Sequence, residues 1–322
     1  MSRSHLPRSI ARVADSAEAV LELQTLRDFW RWSCARFDQE GIALGQQTTH
    51  ARDEALALLL ASLGLPPDEP EAWLDSRLCT SERNHLAGQI ERRCRERIPT
   101  AYLTGEAWLA GLRFRADPRA LIPRSLIAEA IANALPDWLQ LSPRGPDWPR
   151  QTLDLCTGGG SLAIIAAYAF PGTLVSASDL STDALALAAD NVVDHGLEDR
   201  VSLSRGDLFE PLEGQRFDLI LCNPPYVNDD SIARLPAEFR HEPIEALAGG
   251  ADGMDLVRRI VGQAGRHLSD DGLLILEIGH EADHFERAFP LLEHHWLEVS
   301  VGERMVALIE ASALRPRPRS RR

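Results

Sequence analysis

Residues 217–226 read FDLILCNPPY. The first six form an apolar run of the length of a fully buried strand. The run stops at Asn223, Pro224, Pro225 and Tyr226. Two successive prolines cannot continue a sheet ladder, because neither has an N–H to donate and each fixes its own φ. The chain must leave the sheet there, with Asn223 held at the carboxyl end of a buried strand, the edge at which ligands sit in open α/β sheets. The atoms of this corner suit a planar NH2 group. Asn223 offers a side-chain carbonyl and Pro224 a backbone carbonyl as convergent acceptors, and Tyr226 offers a ring face to the planar group that carries the nitrogen. Held by both hydrogens, that nitrogen aims its lone pair out of the plane toward an electrophile, and its proton can leave after transfer. The plain alternative is an ordinary strand exit with two prolines, so context has to decide.

The context lies upstream. Residues 152–156, TLDLC, read as a strand, followed by Thr157, Gly158, Gly159, Gly160 and Ser161 and then an apolar helix over 162–169. Strand, glycine turn and helix in that order make a ligand cradle: glycines let a ligand touch the backbone, and a helix start offers free N–H groups. The dinucleotide pattern G-x-G-x-x-G is absent, since no glycine lies three residues past Gly160, so a mononucleoside with a small charged tail is the better guest. A flexible loop is the alternative. A second strand over 174–178 ends at Asp179, placed for an acid that accepts both hydroxyls of a ribose. Thr182 is the expected cap of a helix to about 193. A third strand over 201–204 leads to Asp207, an acceptor for an exocyclic amine of adenine, and Leu208, a cover for the ring. Four strands thus bring their loops to one sheet edge.

These motifs carry a resemblance. D-x-x-T-G-x-G from Asp154, an acid ending strand two, D-L-F at 207–209 and N-P-P-Y at 223–226 resemble a class I S-adenosylmethionine-dependent methyltransferase. N-P-P-Y, with L-I-P-R at 121–124 upstream, is similar to the protein-glutamine N-methyltransferases, which modify a side-chain amide nitrogen. GEAWLAGLRF at 105–114, LPAEFRHEP at 235–243 and ADGMDLVRRI at 251–260 most resemble the branch acting on large-subunit ribosomal protein L-three; a sister branch acts on the GGQ loop of peptide release factors. The resemblance implies a Rossmann-like seven-stranded sheet and S-adenosyl-L-methionine as cofactor, with S-adenosyl-L-homocysteine as product. It implies cofactor contacts from Thr157, Gly158, Gly159, Gly160, Asp179, Asp207, Leu208 and Asn223. It also implies a glutamine amide gripped by Asn223, Pro224, Pro225 and Tyr226, with Asn223, Pro224 and Tyr226 catalytic. Two departures stand out: Ser161 follows the glycines where the family usually reads Gly-Ser-Gly-Cys, and residues 301–310, VGERMVALIE, lack a glycine-rich turn into G-V-F.

The rest of the chain supplies a frame. Its 322 residues allow two domains, and 44% hydrophobic with 25% charged residues is a soluble globular composition. A net charge of -14 argues against tight nucleic-acid binding through the body. Every basic residue is arginine. Five cysteines with no C-x-x-C pair fit free thiols in a reducing cytoplasm, and neither a membrane span nor a signal-type apolar core is legible. Residues 1–100 read as a helical substrate-recognition domain, with helices over 16–37, 48–63 and 81–98; Trp30, Trp32 and Trp73 are either its core or a partner-binding surface. Residues 101–150 read as a β-hairpin and linker that includes a helix over 125–139 capped by Ser125. Residues 151–311 are the catalytic domain, closed by an antiparallel pair over 291–299 and 303–309. Residues 312–322 form an Arg-rich tail, expected to be disordered, that either touches ribosomal RNA or serves solubility.

Other signals are weaker. Residues 280–284 spell H-E-x-x-H, a zinc-site pattern, but at a ragged helix start where a solvated turn is the expected reading and no metal is assigned. Glu277, Glu242 and His241 are either substrate contacts or structural. Two rival functions remain at this level. One is methylation of the exocyclic amine of adenine in nucleic acid, which also presents a planar NH2; the other is a ribosome-assembly factor that binds the cofactor without turnover.

Overall fold

The computed structural model describes residues 13–142 and 144–315. It divides into two compact units, one holding the residues up to Gly105 together with Ala237–His241, the other Glu106–Pro236 and the residues from Glu242 onward. Of the tail expected over 312–322, residues 316–322 lie outside the described residues, while 312–314 belong to a helix that starts at Ala311. Arg315 is tied down: its guanidinium donates to Asp270 Oδ1 (2.6 Å) and to the Leu268 and Ser269 carbonyls. No helix among the described residues is long and apolar enough to cross a membrane.

The first unit is helical: α1 (Ser16–Glu22), α2 (Leu26–Glu40), α3 (Ala51–Ser62), α4 (Thr80–Arg95) and α5 (Thr100–Thr104). The single helix expected over 16–37 is two. Leu23 is extended, and Thr25 caps α2 in a capping box with Asp28. The break is held from afar, by Leu26 N donating to Ser76 O and Leu78 N to Gln24 O, contacts that helical spacing cannot reveal. Trp32 lies in the core with Phe29, Phe37, Leu58 and Leu86, while Trp30 and Trp73 pack at its edge. The tryptophans are therefore packing residues. Arg93 is buried: its Nε donates to Glu54 Oε1 (3.0 Å) and its Nη2 to the Ala43 carbonyl (3.0 Å), while its Nη1 has no hydrogen-bond partner among the described residues and lies 3.6 Å from Glu238 Oε1. Glu238 arrives from the Ala237–His241 segment, which lies within the 151–311 stretch expected as the catalytic domain but groups with the helical unit; a buried arginine needs matched acids, and this segment provides one.

The second unit opens with a hairpin, β1 (Glu106–Leu109) and β2 (Leu112–Arg115), paired from Glu106 with Arg115 to Leu109 with Leu112. Its two-residue turn has Ala110 at φ 51° and Gly111 at φ 75°, the left-handed pair that a tight hairpin requires. The helix expected over 125–139 is interrupted at Asn133 into α6 (Ile127–Ala132) and α7 (Ala134–Leu141). Pro136 explains the restart, since in a continuous helix its ring would meet the carbonyl of Ala132. Next come β3 (Gln151–Leu155), α8 (Ser161–Ala169), β4 (Leu174–Asp179), α9 (Thr182–Asp194), β5 (Val201–Arg205), β6 (Phe217–Cys222) and α10 (Asp229–Ala233). The chain ends with α11 (Asp255–His267), β7 (Leu268–Glu277), α12 (Ala282–Ala288), β8 (His295–Val299), β9 (Gly302–Glu310) and α13 (Ala311–Leu314). Ser181, not Thr182, caps α9, its hydroxyl accepting from Ala184 N.

The expected seven-stranded α/β sheet is present, in the order β5-β4-β3-β6-β7-β9-β8. The first five of these strands run parallel, and β9 and β8 close it antiparallel. Apolar cores cover both faces, so β6 is buried at every residue but Asp218, as its largely apolar run requires. The strand order reverses between β3 and β6. Their register pairs Leu155 with Cys222, which sets the glycine turn after β3 beside Asn223 after β6, at the switch point where such sheets bind ligands.

Candidate active site

The turn after β3 is built around Asp154. This buried carboxylate accepts from Thr157 Oγ1 (2.5 Å) and from Ala163 N (2.9 Å). Ala163 is the third residue of α8, whose cap, Gly160, has no side chain to satisfy it; Asp154 does so from the strand. Its Oδ1 is buried without a partner among the described residues. Burial pushes the carboxyl up to about 7, against the pull of those two hydrogen bonds and with the charge of Asp179 adding to the rise.

The backbone here is bent into sparsely populated territory. Cys156 has φ 60° and Gly158 φ 55°. At the end of β5, Leu208 has φ 54° although it carries a branched side chain and is buried. Strained residues of this kind collect where loops are shaped for a ligand. Asp179 secures the turn from the neighbouring strand: Oδ2 accepts from Gly158 N (2.8 Å) and Oδ1 from Ser181 N (2.9 Å). Asn191, buried on α9, completes the support. Its Nδ2 donates to the Gly159 carbonyl (2.9 Å), and its Oδ1 accepts from Arg115 N (2.7 Å) at the end of the hairpin. Asn191 is absent from the expected site, though its sequence carries a signal: in TDALALAADNVVD it sits on the stripe of Ala184, Leu187 and Ala188, the one polar residue on a buried face.

These loops enclose a cavity of about 380 Å³. Thr157, Gly158, Gly159 and Asp179 line one side, and Asp207 and Leu208 continue it. Asn223 and Pro225 line it at the β6 end, where residues 119–125 and Pro243, Glu245 and Ala246 form the remaining wall. Three of the expected site residues stand back. Gly160 is wanted for its φ of 83° and for packing, since a Cβ there would lie 3.1 Å from Ala188 Cβ. Pro224 is buried. Tyr226 was expected to offer its ring face, but its hydroxyl donates to Glu277 Oε1 (2.9 Å) and it does not line the cavity. Asp207 lines the cavity while pairing with Arg259 (2.7 Å).

Glu277 and Glu242 are both held in hydrogen bonds across the fold. Glu277, buried at the end of β7, accepts from Ser125 Oγ (2.5 Å) and Leu126 N (2.9 Å) as well as from Tyr226. Burial raises its carboxyl above the ordinary range even though three donors oppose the shift. Glu242 accepts from Ile122 N (3.0 Å) and Arg124 Nη1 (2.7 Å). His241 belongs to the helical unit and contacts the Glu96 carbonyl. In the H-E-x-x-H stretch, residues 279–281 form a 3-10 turn and α12 starts only at Ala282, so the two histidines do not share a helix face. Glu281 instead engages Asn228 Nδ2 and His284 Nδ1.

The methyltransferase small domain family matches residues 141–250. The ribosomal protein uL3 glutamine methyltransferase of Bordetella pertussis is 51% identical over 293 residues, 91% of this chain and 97% of its own. Its counterpart from Burkholderia pseudomallei is 50% identical over 298 residues, 90% and 96% of the two chains. Among solved structures, a methyltransferase from Pyrococcus furiosus superposes with a TM-score of 0.43 at 20% identity, over 62% of this chain and 88% of its own. With half of the aligned residues shared along nearly the full length of both relatives, the chain belongs to the family of the ribosomal protein uL3 glutamine methyltransferases.

Proposed function

We propose that this chain transfers a methyl group from S-adenosylmethionine to the side-chain amide nitrogen of a glutamine in the large-subunit ribosomal protein uL3. The observation that carries the reading is the shared cavity: the glycine turn and Asn223 line one space at the sheet's switch point. The residues fit the cofactor. A Cβ added to Gly158 would meet no protein atom within 4 Å, so the turn leaves open the space where a ligand must approach the backbone. Asp179 has lone pairs left beyond its two backbone bonds for ribose hydroxyls, and Leu208 offers apolar cover for a base.

When bound, S-adenosylmethionine supplies an electrophilic sulfonium methyl, its sulfur leaving as the neutral thioether of S-adenosylhomocysteine. Thr157, Gly158, Gly159, Asp179, Asp207 and Leu208 hold it. Gly160 acts from behind by fixing the start of α8. Asn223 Oδ1 and the Pro224 carbonyl accept the two hydrogens of the glutamine amide, with Pro225 on the cavity wall. Gripped this way, the amide nitrogen cannot rotate, and its lone pair stands out of the amide plane. The two carbonyl dipoles stabilise the positive charge that grows on nitrogen as the new C–N bond forms, and a proton leaves afterwards. Catalysis is therefore positioning plus fixed dipoles. Tyr226 contributes as part of the corner's frame.

The test is transfer of a labelled methyl from the cofactor to purified uL3, to a release factor and to RNA, followed by protease or nuclease digestion. Label retained on a uL3 glutamine peptide is the expected result. Label on the release factor alone, or label released by nuclease, would replace the substrate.

A further inference from the structure

Glu277 has more ligands than a strand end needs. Register pairs Cys222 with Leu276, so Glu277 stands one step beyond, beside Asn223 at the sheet edge. Its two oxygens collect donors from two remote segments. Oε2 takes Ser125 Oγ and Leu126 N, at the end of the 119–125 stretch that lines the cavity; Oε1 takes the Tyr226 hydroxyl, on the corner that carries Asn223 and Pro225. The Tyr226 ring is pinned as well. It lies against Gly279, where a Cβ would come within 2.5 Å of its Cε2 at a backbone φ of 55°. Four residues beyond Glu277, Glu281 holds Asn228. An ionised carboxylate is an acceptor only and can satisfy all three donors, whereas an amide or a protonated acid must turn a hydrogen toward one of them. Burial and the adjacent carboxylate raise the Tyr226 hydroxyl well above its ordinary value, so it remains a donor.

We propose that Glu277 is a positioning residue for the acceptor amide: by holding Tyr226 and Ser125 on one carboxylate, it locks the Asn223–Tyr226 corner to the 119–125 stretch of the cavity wall at the spacing that transfer requires. This rests on the glutamine-methyl-transfer reading. It extends that reading by giving Tyr226 the role of a strut.

The test uses the full-length protein. Glu277→Gln should lower kcat for uL3 methylation by about 10- to 100-fold, the range a small misplacement of reacting groups produces. The KM for S-adenosylmethionine and the Kd for S-adenosylhomocysteine should stay within about twofold, because the cradle is untouched. Tyr226→Phe should lower kcat in the same sense, and the double variant should be no worse than Glu277→Gln within about threefold, since both cut one link. A readout free of activity comes from the chain's three tyrosines. With tyrosine labelled by carbon-13 at Cζ, the resonance missing in Tyr226→Phe is that of Tyr226, and it should move in Glu277→Gln while the other two stay. Should Glu277→Gln not fold, Ser125→Ala removes one donor from the same carboxylate and should shift the Tyr226 resonance and lower kcat to a smaller extent. An unmoved Tyr226 resonance, an unchanged kcat, or cofactor affinity falling in step with kcat overturns the proposal. Wild-type protein that leaves uL3 unmethylated overturns the function instead, and the tyrosine measurement still decides for or against the strut.

Discussion

On the β3–β5 side of the cavity, the acids that set the loops reach 3, 9 and 21 residues along the chain, from Asp154 to Thr157 and Ala163 and from Asp179 to Gly158. On the β6–β7 side the reach is 152 and 151 residues for Glu277 to Ser125 and Leu126, and 120 and 118 for Glu242 to Ile122 and Arg124. The cradle is thus assembled from a nearly contiguous stretch, and its carboxylates accept mainly from backbone. The acceptor wall is assembled by the tertiary fold, from two segments joined on buried carboxylates. The expectation that follows is a division of labour, with cofactor affinity residing in the local half and turnover in the remote one.

Asn223→Ala strikes that division hardest. Losing one fixed dipole at a charge-developing nitrogen should cut single-turnover methylation by about 10²- to 10³-fold, with S-adenosylhomocysteine affinity by calorimetry nearly unchanged; equal losses in both would erase the division. Asn191→Ala tests the other half. It strands the Gly159 carbonyl and the Arg115 N–H, so it should cost about 1–3 kcal/mol of stability and weaken S-adenosylhomocysteine binding about tenfold, while turnover at saturating cofactor persists. A saturated rate as low as that of Asn223→Ala would show that the two halves act as one. The smallest effect sharpens the picture of the cradle. Because burial raises Asp154 from 3.8 to about 7, the folded state binds a proton that the unfolded state has already released across that window. Its contribution therefore grows less favourable as pH rises from about 4 to about 7 and is flat above. The melting temperature of the wild type should fall relative to Asp154→Asn over that interval; a constant difference would show that Asp154 titrates normally.

The same contrast accounts for what could be read from sequence. β6 covers the residues its apolar run and the double proline mark, and the glycine turn, Asp179, Leu208 and Asn223 meet at one cavity because parallel strand order brings their loops together. Each of those features is local. What escaped was decided across the chain: the break at Leu23 is imposed by backbone pairing with residues 76 and 78, and the Tyr226 hydroxyl is claimed by Glu277. The break at Asn133 is of another kind, for Pro136 announced it within the local sequence. Asn191 was legible in principle, as a polar residue on an apolar stripe.

The origin of Glu238 bears on how this molecule can be cut. A buried arginine in the helical unit is neutralised partly by an acid that the chain supplies after the acceptor corner, and Ala43 N donates to that same acid across 195 residues. The helical unit is consequently not a detachable cassette. Expressed without the later segment it would bury Arg93 short of a counter-charge, and removal of the residues up to Gly105 would turn Glu238 out to solvent with its partners gone. Exchange of the amino-terminal region between relatives should therefore succeed only when residues 237–241 travel with it.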